Sequence, residues 1–284
     1  MRKGARWLLF AAPVALGVVL TLAVRRHKSP SHCGTGWVNE GPRCCAVGQS
    51  LKDGSCIGAP KYCPSGFHRA IGKTPGCVID AKRVRVGPII LRIGPNDWQS
   101  ESVPRIDANV PAFEVDVAEV SYERWQHCVE ATRCRSSLTG EPGQPITTVT
   151  SAEAQAFCKF TGGRLPTLNE RMAMAAGAQS RRFPWGQTGL VCRRATFGVV
   201  AGPCAEKGNQ PDVSGCHLDG QSPEGVLDLS GNVAELALDA EGKAWACGGS
   251  FRSRAALELK SWACIAFAGP LDDIGFRCAY DAIE

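Results

Sequence analysis

The stretch Gly225-Val-Leu-Asp-Leu-Ser-Gly-Asn-Val-Ala-Glu235 decides the fold, together with four shorter motifs around it. In chain order the motifs are Gly162-Gly163-Arg164-Leu165-Pro166-Thr167, Phe183-Pro184-Trp185-Gly186, the quoted stretch, Gly248-Gly249-Ser250-Phe251 and Gly275-Phe276-Arg277-Cys278. Glycine or proline occurs in every motif, and the 284-residue chain holds 32 Gly and 18 Pro. This composition predicts long irregular connections between short elements, and therefore a loop-rich fold.

Two helices are predicted by capping boxes on either side of the first motif. In a capping box, a hydroxyl and a carboxylate three residues later satisfy each other's backbone amides at a helix start. The boxes are Thr150-Ser-Ala-Glu153 and Thr167-Leu-Asn-Glu170. Gly162-Gly163 and Gly177 are expected to end the two helices.

The region before these helices predicts two strands and a third helix. The largely apolar run Val86-Gly-Pro-Ile-Ile-Leu-Arg-Ile93 predicts one strand, and the alternating run from Pro111 to Val120 predicts another. Ser121 can cap a helix, because helical spacing then gathers apolar residues on one face, namely Tyr122, Trp125, Cys128 and Val129.

The five motifs, in this order and spacing, resemble the formylglycine-generating enzyme (sulfatase-modifying factor) family over roughly residues 85–284. The resemblance implies an α+β, loop-rich formylglycine-generating-enzyme fold related to the C-type lectins. Members of the family oxidise a substrate cysteine of sulfatases to formylglycine, with copper held by two active-site thiolates. A pair of soft thiolates is the ligand set that Cu(I) requires.

The two catalytic cysteines of the family have no counterparts here. In catalytic members the first lies three residues after the Ser of the Gly-Gly-Ser motif and the second lies five residues further. Counted from Ser250, these places hold Ser253 and Glu258, and Cys264 reaches the second place only with a shift of six residues. A hydroxyl and a carboxylate do not replace two thiolates at Cu(I), so copper is not expected.

Three disulfides are expected in the large domain. The resemblance implies a bond between Cys158 on the first capped helix and Cys278 of the last motif. It also implies that Cys264 has a different partner from the one it has in the family, with Cys247 as the obvious candidate. Cys128 and Cys134 are close enough in sequence for a local bond.

The resemblance also places a structural calcium ion at Asp228. Its ligands would be the Asp228 side chain and three backbone carbonyls, those of Leu229, Gly231 and Val233. Oxygen-only ligation suits a hard cation such as Ca²⁺. The alternative is a turn in which Asp228 only accepts hydrogen bonds from nearby amides. A second family calcium site begins with Asn after Ala, whereas this chain has Ala195-Thr196, so that site is expected to be lost.

Cysteines dominate the region before the large domain. The chain holds 15 cysteines, an odd number, and six of them lie within residues 33–77: Cys33, Cys44, Cys45, Cys56, Cys63 and Cys77. This density indicates disulfides in an oxidising compartment rather than metal ligation, with one thiol that stays free or pairs with another chain. Adjacent Cys44 and Cys45 are expected to bond to different partners. The region is interpreted as a stapled spacer or as a small recognition module.

The amino terminus predicts attachment to a membrane. Trp7 to Val24 is an uncharged run of apolar character, followed by a basic stretch rather than by a small-residue cleavage pattern. An uncleaved anchor is favoured over a signal peptide. The expected organisation is an anchor or signal segment over 1–30, a cysteine-rich module over 31–84 and the family domain over 85–284, the last outside the cytoplasm in the periplasm or extracellular space. A formal charge of +5 gives no indication of nucleic-acid binding.

The leading functional interpretation is a pseudoenzyme that binds a peptide, protein or glycan at the cell envelope, or serves there as a scaffold. The first alternative is a sulfatase-modifying oxidase with a rearranged site. The second is a lectin-like glycan binder that stacks sugars on tryptophans such as Trp185, Trp245 and Trp262. An iron site is disfavoured because the five histidines are scattered along the chain, at His27, His32, His68, His127 and His217.

Overall fold

The structure, a computed structural model, describes residue 33 and residues 36–40, 43–53, 55–70, 75–94, 105–198 and 210–282. The segment predicted as a membrane anchor lies outside these residues, so it stays a prediction. Within the described ranges, no helix is both long and apolar enough to cross a membrane. Ser31–Glu284 form one compact unit, and the predicted boundary between residues 84 and 85 falls inside it.

The cysteine-rich region is a series of three antiparallel hairpins. They pair β1 (Trp37–Glu40) with β2 (Arg43–Ala46), β3 (Ser50–Lys52) with β4 (Ser55–Ile57), and β5 (Phe67–Arg69) with β6 (Cys77–Ile79). Its disulfides are Cys33–Cys44, Cys45–Cys56 and Cys63–Cys77. Adjacent Cys44 and Cys45 thus bond to different partners, because two neighbouring side chains of a strand point to opposite faces.

The large domain begins with four strands, and here one prediction was wrong. In place of one strand over 86–93, the chain forms β7 (Arg83–Val86) and β8 (Ile89–Ile93). The cis Gly87–Pro88 bond separates them, and Gly87 has a left-handed φ of 85° that favours glycine. β8 pairs with β9 (Ile106–Val110), whereas β7 pairs with β10 (Phe113–Asp116), the shorter form of the second predicted strand.

The three predicted helices are present. They are α1 (Tyr122–Glu130), α2 (Ser151–Phe160) and α3 (Leu168–Ala176). Ser121 caps α1, and both predicted capping boxes are formed in full at the starts of α2 and α3. Gly177 is the C-cap of α3 and α2 ends just before Gly162. Local hydrogen bonding therefore fixes these helix starts, as the sequence indicates.

Five further strands complete two sheets. The strands are β11 (Ala234–Leu238), β12 (Ala244–Cys247), β13 (Cys264–Ala266), β14 (Ile274–Gly275) and β15 (Ala279–Asp281). One sheet has the order β13-β12-β11-β14 and the other the order β15-β10-β7. β13 is thus an edge strand. A short 3₁₀ helix, Ala256–Leu259, lies in the connection between β12 and β13.

The core of the domain joins α1, α2 and the last motif. Trp125 stacks on Phe157 with ring centroids 5.7 Å apart, and Phe276 meets Phe157 edge-on at 5.5 Å. Beside these rings Cys158 is bonded to Cys278, with Cα atoms 5.4 Å apart and 120 residues between them in sequence. The carboxy-terminal motif is therefore held to α2 by both apolar burial and a covalent bond.

A fully buried ion-pair network is centred on Glu235 of β11. Glu235 pairs with Arg171 at 2.9 Å and with Arg277, and all three side chains have no exposed surface. Arg277 Nε donates to Glu235 Oε2 at 2.9 Å, and its Nη1 donates to the Asp116 carbonyl at 3.1 Å. Burial alone would lower the pKa of Arg277, but the nearby carboxylates, first of all Glu235, raise it. Arg277 thus stays charged and ties the last motif to β11.

Candidate functional site

A groove with a cavity volume of about 850 Å³ opens beside β13. One wall is the connection from Gly249 to Trp262, and another is the segment from Leu271 to Ile274 that leads into β14. Ser250, Ser253, Glu258 and Cys264 all line it. The structure therefore brings together, on one groove, the positions that the sequence singled out around the Gly-Gly-Ser motif.

A tight turn after Gly249 fixes the first catalytic position of the family. Gly249 has a φ of 67°, and a Cβ there would come within 2.7 Å of Ser253 Oγ and of the Glu258 carbonyl. The amide of Ser250 donates to Ser253 Oγ at 3.0 Å, and the amide of Ser253 donates back to the Ser250 carbonyl at 3.0 Å. The Ser253 hydroxyl is consequently used by the turn itself and is almost fully buried.

Ser250 is held by an acidic residue that the sequence analysis missed. Its hydroxyl donates to Asp273 Oδ2 at 2.7 Å and accepts from the amide of Arg252 at 3.1 Å. Asp273 is itself anchored, because its carbonyl accepts from the amide of Ala234 at the start of β11. Asp273 stands two residues before the Gly-Phe-Arg-Cys motif, and that proximity was the available signal.

The second catalytic position lies on the 3₁₀ helix and faces solvent. Glu258 is exposed and, among the described residues, has no ion-pair partner. The nearby bases are engaged elsewhere: Arg252 pairs with Asp272, and Lys260 lies 5.8 Å from the Trp262 ring centroid. Glu258 therefore gives the groove an accessible negative charge for a ligand.

The cysteine on the groove wall is not a thiolate. Cys264 is bonded to Cys247, its direct neighbour across β12 and β13. Ser253 and Glu258 are hard oxygen donors, so the described groove residues do not fit Cu(I). None of those residues is a histidine, so the serines have no imidazole base beside them there. The described groove residues therefore offer oxygen donors and a disulfide, but no thiolate and no imidazole.

The groove also presents exposed apolar side chains. Leu257, Ile265 and Leu271 line it and are 65%, 67% and 55% exposed. Large apolar side chains at such exposure mark an interaction surface when they cluster in a concave site. The sequence analysis missed all three, because they belong to connections and an edge strand without a periodic pattern.

Two of the four predicted calcium ligands, Asp228 and the Leu229 carbonyl, accept hydrogen bonds from the protein itself. Asp228 Oδ2 accepts a hydrogen bond from the amide of Gly215, and the Leu229 carbonyl accepts from Arg171 Nη2 at 2.7 Å. A cation bound to the Leu229 carbonyl would stand next to a buried guanidinium, and like charges repel. Burial also raises the pKa of Asp228, which disfavours its ionised form. The calcium site stays a prediction, and the contact of Asp228 with the Gly215 amide is of the kind that the turn alternative describes.

The three disulfides expected in the large domain are present in the structure: Cys158–Cys278, Cys247–Cys264 and Cys128–Cys134. The first joins α2 to the last motif, the second forms the groove wall, and the third closes the turn after α1. All three follow the pairing that the resemblance or the short spacing implies. None of them places a thiol in the groove.

The fold and the groove together define a domain of the formylglycine-generating-enzyme type whose described groove residues carry no thiolate. Residues 80–282 match the family of the Sulfatase-modifying factor enzyme 1-like domain, and the chain belongs to this family. A curated relative, the formylglycine-generating enzyme of Thermomonospora curvata, is 29% identical over 109 residues. That match covers 37% of this chain and 36% of the relative, so the chain spans about a third of the relative's length.

Solved structures show the same fold at low sequence identity. Treponema denticola variable protein 1 matches with a TM-score of 0.56 and 15% identity over 76% of this chain and 98% of its own. PvdO from Pseudomonas aeruginosa matches with a TM-score of 0.51 and 18% identity over 77% and 99%. At these identities the likeness establishes the fold and carries no statement about activity.

Proposed function

We propose that this chain is a non-catalytic member of its family that binds an extended segment of a peptide or protein in the groove. The observation that carries the proposal is the state of the groove cysteine. Cys264 is in a disulfide, while Ser253 and Glu258 stand in the two places where the family needs thiolates. Without these two thiolates, the groove lacks the ligands that Cu(I) requires.

The chemistry of the groove indicates the kind of segment it binds. Leu257, Ile265 and Leu271 offer apolar contact, and the accessible carboxylate of Glu258 favours a basic or hydroxyl-bearing side chain. β13 is an edge strand, so its outer backbone groups are available to an added strand. An extended peptide with apolar residues next to Lys or Arg satisfies all three features.

We further propose that the domain works outside the cytoplasm, tethered by the amino-terminal segment. The support is the uncharged apolar run from Trp7 to Val24 and the six disulfides that join pairs of described residues. Disulfides of this density persist in oxidising compartments. The ligand is accordingly expected at the cell envelope.

Selection from a displayed library of random linear peptides, with the purified full-length chain as bait, tests the binding proposal. Enriched peptides should combine apolar with basic residues. Their binding should be lost in Ile265→Glu and Glu258→Lys, and kept in the matched controls Leu218→Glu and Glu241→Lys, which change exposed residues that do not line the groove. Binding that survives both groove variants, or no enrichment above the bare matrix, would reject the proposal.

The alternative function is oxidation, because the curated relative is a formylglycine-generating enzyme. Its test is mass spectrometry of a cysteine peptide incubated with the chain, copper and oxygen. We expect no conversion of the thiol to an aldehyde. Turnover that disappears in Cys264→Ser would establish the oxidase and overturn the non-catalytic proposal.

A lectin-like role, with descent from C-type lectins, has less support from the tryptophans. Trp262 lines the groove but is only 8% exposed. Trp185 stacks on Phe183 with ring centroids 5.3 Å apart, and Trp245 donates its indole N–H to Asp239 at 2.8 Å. Glycan-array binding that is lost with EDTA would favour this alternative over the peptide proposal.

A further inference from the structure

A second cluster of chemically reactive side chains lies away from the groove. It consists of Cys44, Asp212, Cys216 and His217, whose potential ligand atoms all lie within 4.8 Å of one another. All four residues are at most 1% exposed, and none of them lines the groove. Cys44 belongs to β2 of the cysteine-rich region, whereas the other three come from one loop of the large domain.

Hydrogen bonds hold this loop in one arrangement. Asp212 Oδ2 accepts from the Thr196 hydroxyl at 2.8 Å and lies 3.1 Å from His217 Nε2. The Asp212 amide donates to Asn232 Oδ1 at 2.9 Å, which fixes the backbone as well. The imidazole and the carboxylate are therefore positioned before any ligand arrives, as metal sites require.

One buried nitrogen of the cluster has no hydrogen-bond partner among the described residues. His217 Nδ1 is buried and, among the described residues, has no hydrogen-bond partner. Buried polar atoms in native proteins nearly always have a partner, and a lone one calls for an unseen water, ion or other ligand. This atom belongs to one of the four side chains of the cluster.

The charges of the donor set select a zinc-class cation. Cys44 is bonded to Cys33, so its sulfur does not act as a thiolate, whereas Cys216 carries a thiol. A thiolate, a carboxylate and a neutral imidazole bring two negative charges, which a divalent cation cancels in a buried site. Sulfur and nitrogen donors favour Zn²⁺ and its relatives over Ca²⁺ or Mg²⁺.

We propose that Asp212, Cys216 and His217 bind one divalent cation of the zinc class, beside the Cys33–Cys44 disulfide. On binding, the cation takes the place of the Cys216 thiol proton, which leaves to solvent. The site lies in the loop of residues 212–217, next to the strand that carries Cys44, and it is independent of what the groove binds.

Titration of the full-length chain with Co²⁺, without reductant so that the disulfides stay intact, tests the site. We expect one equivalent to bind with sulfur-to-metal charge-transfer absorption in the near ultraviolet and visible bands of a low-coordinate cobalt ion. Cys216→Ser should remove the charge-transfer band and weaken binding by more than about 100-fold, because loss of a ligand costs more than the about 10–100-fold of an outer-shell partner.

His127→Asn is the matched control for His217→Asn, because His127 is exposed on α1 and is not one of the four residues of the cluster. It should bind cobalt as the unchanged chain does, and His217→Asn should not. Zinc-edge X-ray absorption of the unchanged chain gives a second answer that needs no variant: one sulfur in the coordination sphere supports the site. No binding, no sulfur, two sulfurs, or unchanged binding in both Cys216→Ser and His217→Asn would overturn the proposal.

Discussion

The cysteine-rich region over residues 33–79 and the family domain over residues 83–282 are stabilised in different ways. The first buries five cysteines and few large side chains, with Trp37 the largest of its described buried residues, and carries three disulfides of its own. The second buries large aromatic rings and even a charged network around Glu235. The difference shows that covalent links take the place of apolar burial where a chain segment is too small for a core.

The largest expected effect comes from the charged network of the family domain. Glu235→Ala leaves Arg171 and Arg277 buried without their nearest counter-ion, which should lower the free energy of unfolding by about 3–5 kcal/mol. Urea unfolding measures it. The control is Asp107→Asn, whose pair with Arg92 is exposed and spans 3.9 Å, and which should change stability by less than about 1 kcal/mol. Equal effects of the two changes would contradict the contrast drawn here.

Next in size is the bond that ties α2 to the last motif. Replacing Cys158 and Cys278 by Ser should cost about 2–5 kcal/mol in global stability, because the bond closes a loop of 120 residues. Removing Cys128–Cys134, which are only six residues apart, should cost less. Melting curves of both double variants measure the two losses of stability. A larger loss for the Cys128–Cys134 variant would show that chain entropy is not the cause.

In the cysteine-rich region, removal of a disulfide should destabilise only the neighbouring strands. Replacing Cys45 and Cys56 by Ser removes a constraint worth about 3 kcal/mol in the chain-entropy account, in a region with little apolar burial to compensate. Hydrogen exchange should accelerate in β2 to β4 and stay unchanged in α2 and α3. Acceleration throughout the family domain would mean that the two regions do not differ in the way described.

The smallest effect concerns a histidine between the two regions. His68 Nδ1 lies 2.9 Å from Asp80 Oδ1 and its Nε2 lies 2.7 Å from Glu123 Oε2. Burial lowers the pKa of His68, but hydrogen bonds to Asp80 and Glu123 outweigh it, so the folded pKa is raised above its ordinary value. The stabilisation is therefore complete below the unfolded pKa of about 6.5 and is lost as pH rises through the folded pKa.

Because the His68 side chain is 41% exposed, screening keeps this contribution within about 1 kcal/mol. Urea midpoints of the unchanged chain should fall between about pH 6 and pH 8, whereas His68→Asn should show a flatter profile over the same range. His127→Asn, an exposed change on α1, should keep the original slope. A slope that persists in His68→Asn would assign the pH dependence to other groups.

The sequence predicts what depends on neighbouring residues and misses what depends on distant ones. The capping boxes at Thr150 and Thr167 predict α2 and α3 because both partners lie within one turn of helix. The break at Gly87–Pro88 does have a local signal in the proline, which has no N–H to donate to a strand ladder. The contact between Ser250 and Asp273 spans 23 residues and follows from tertiary packing alone.

The distinction between neighbouring and distant residues also explains why the sequence indicated the groove positions but not the cluster beside Cys44. The family motif led to Ser253 and Glu258, whereas Asp212, Cys216 and His217 meet Cys44 only in the folded chain. The adjacent Cys216-His217 pair, in a chain with an odd number of cysteines, was a usable hint. Spacing alone gives no reason to join it to a residue about 170 positions earlier.

The bond between Cys158 and Cys278 sets an order of events during synthesis. At ~5–20 residues per second, the 120 residues that separate the two cysteines take about 6–24 s to make, and Cys158 has no native partner until then. The hairpin disulfides, with separations of 11, 11 and 14 residues, and Cys128–Cys134 can close well before that. The early bonds consume the eight thiols that precede Cys158 in the chain and so reduce the number of wrong partners available to it.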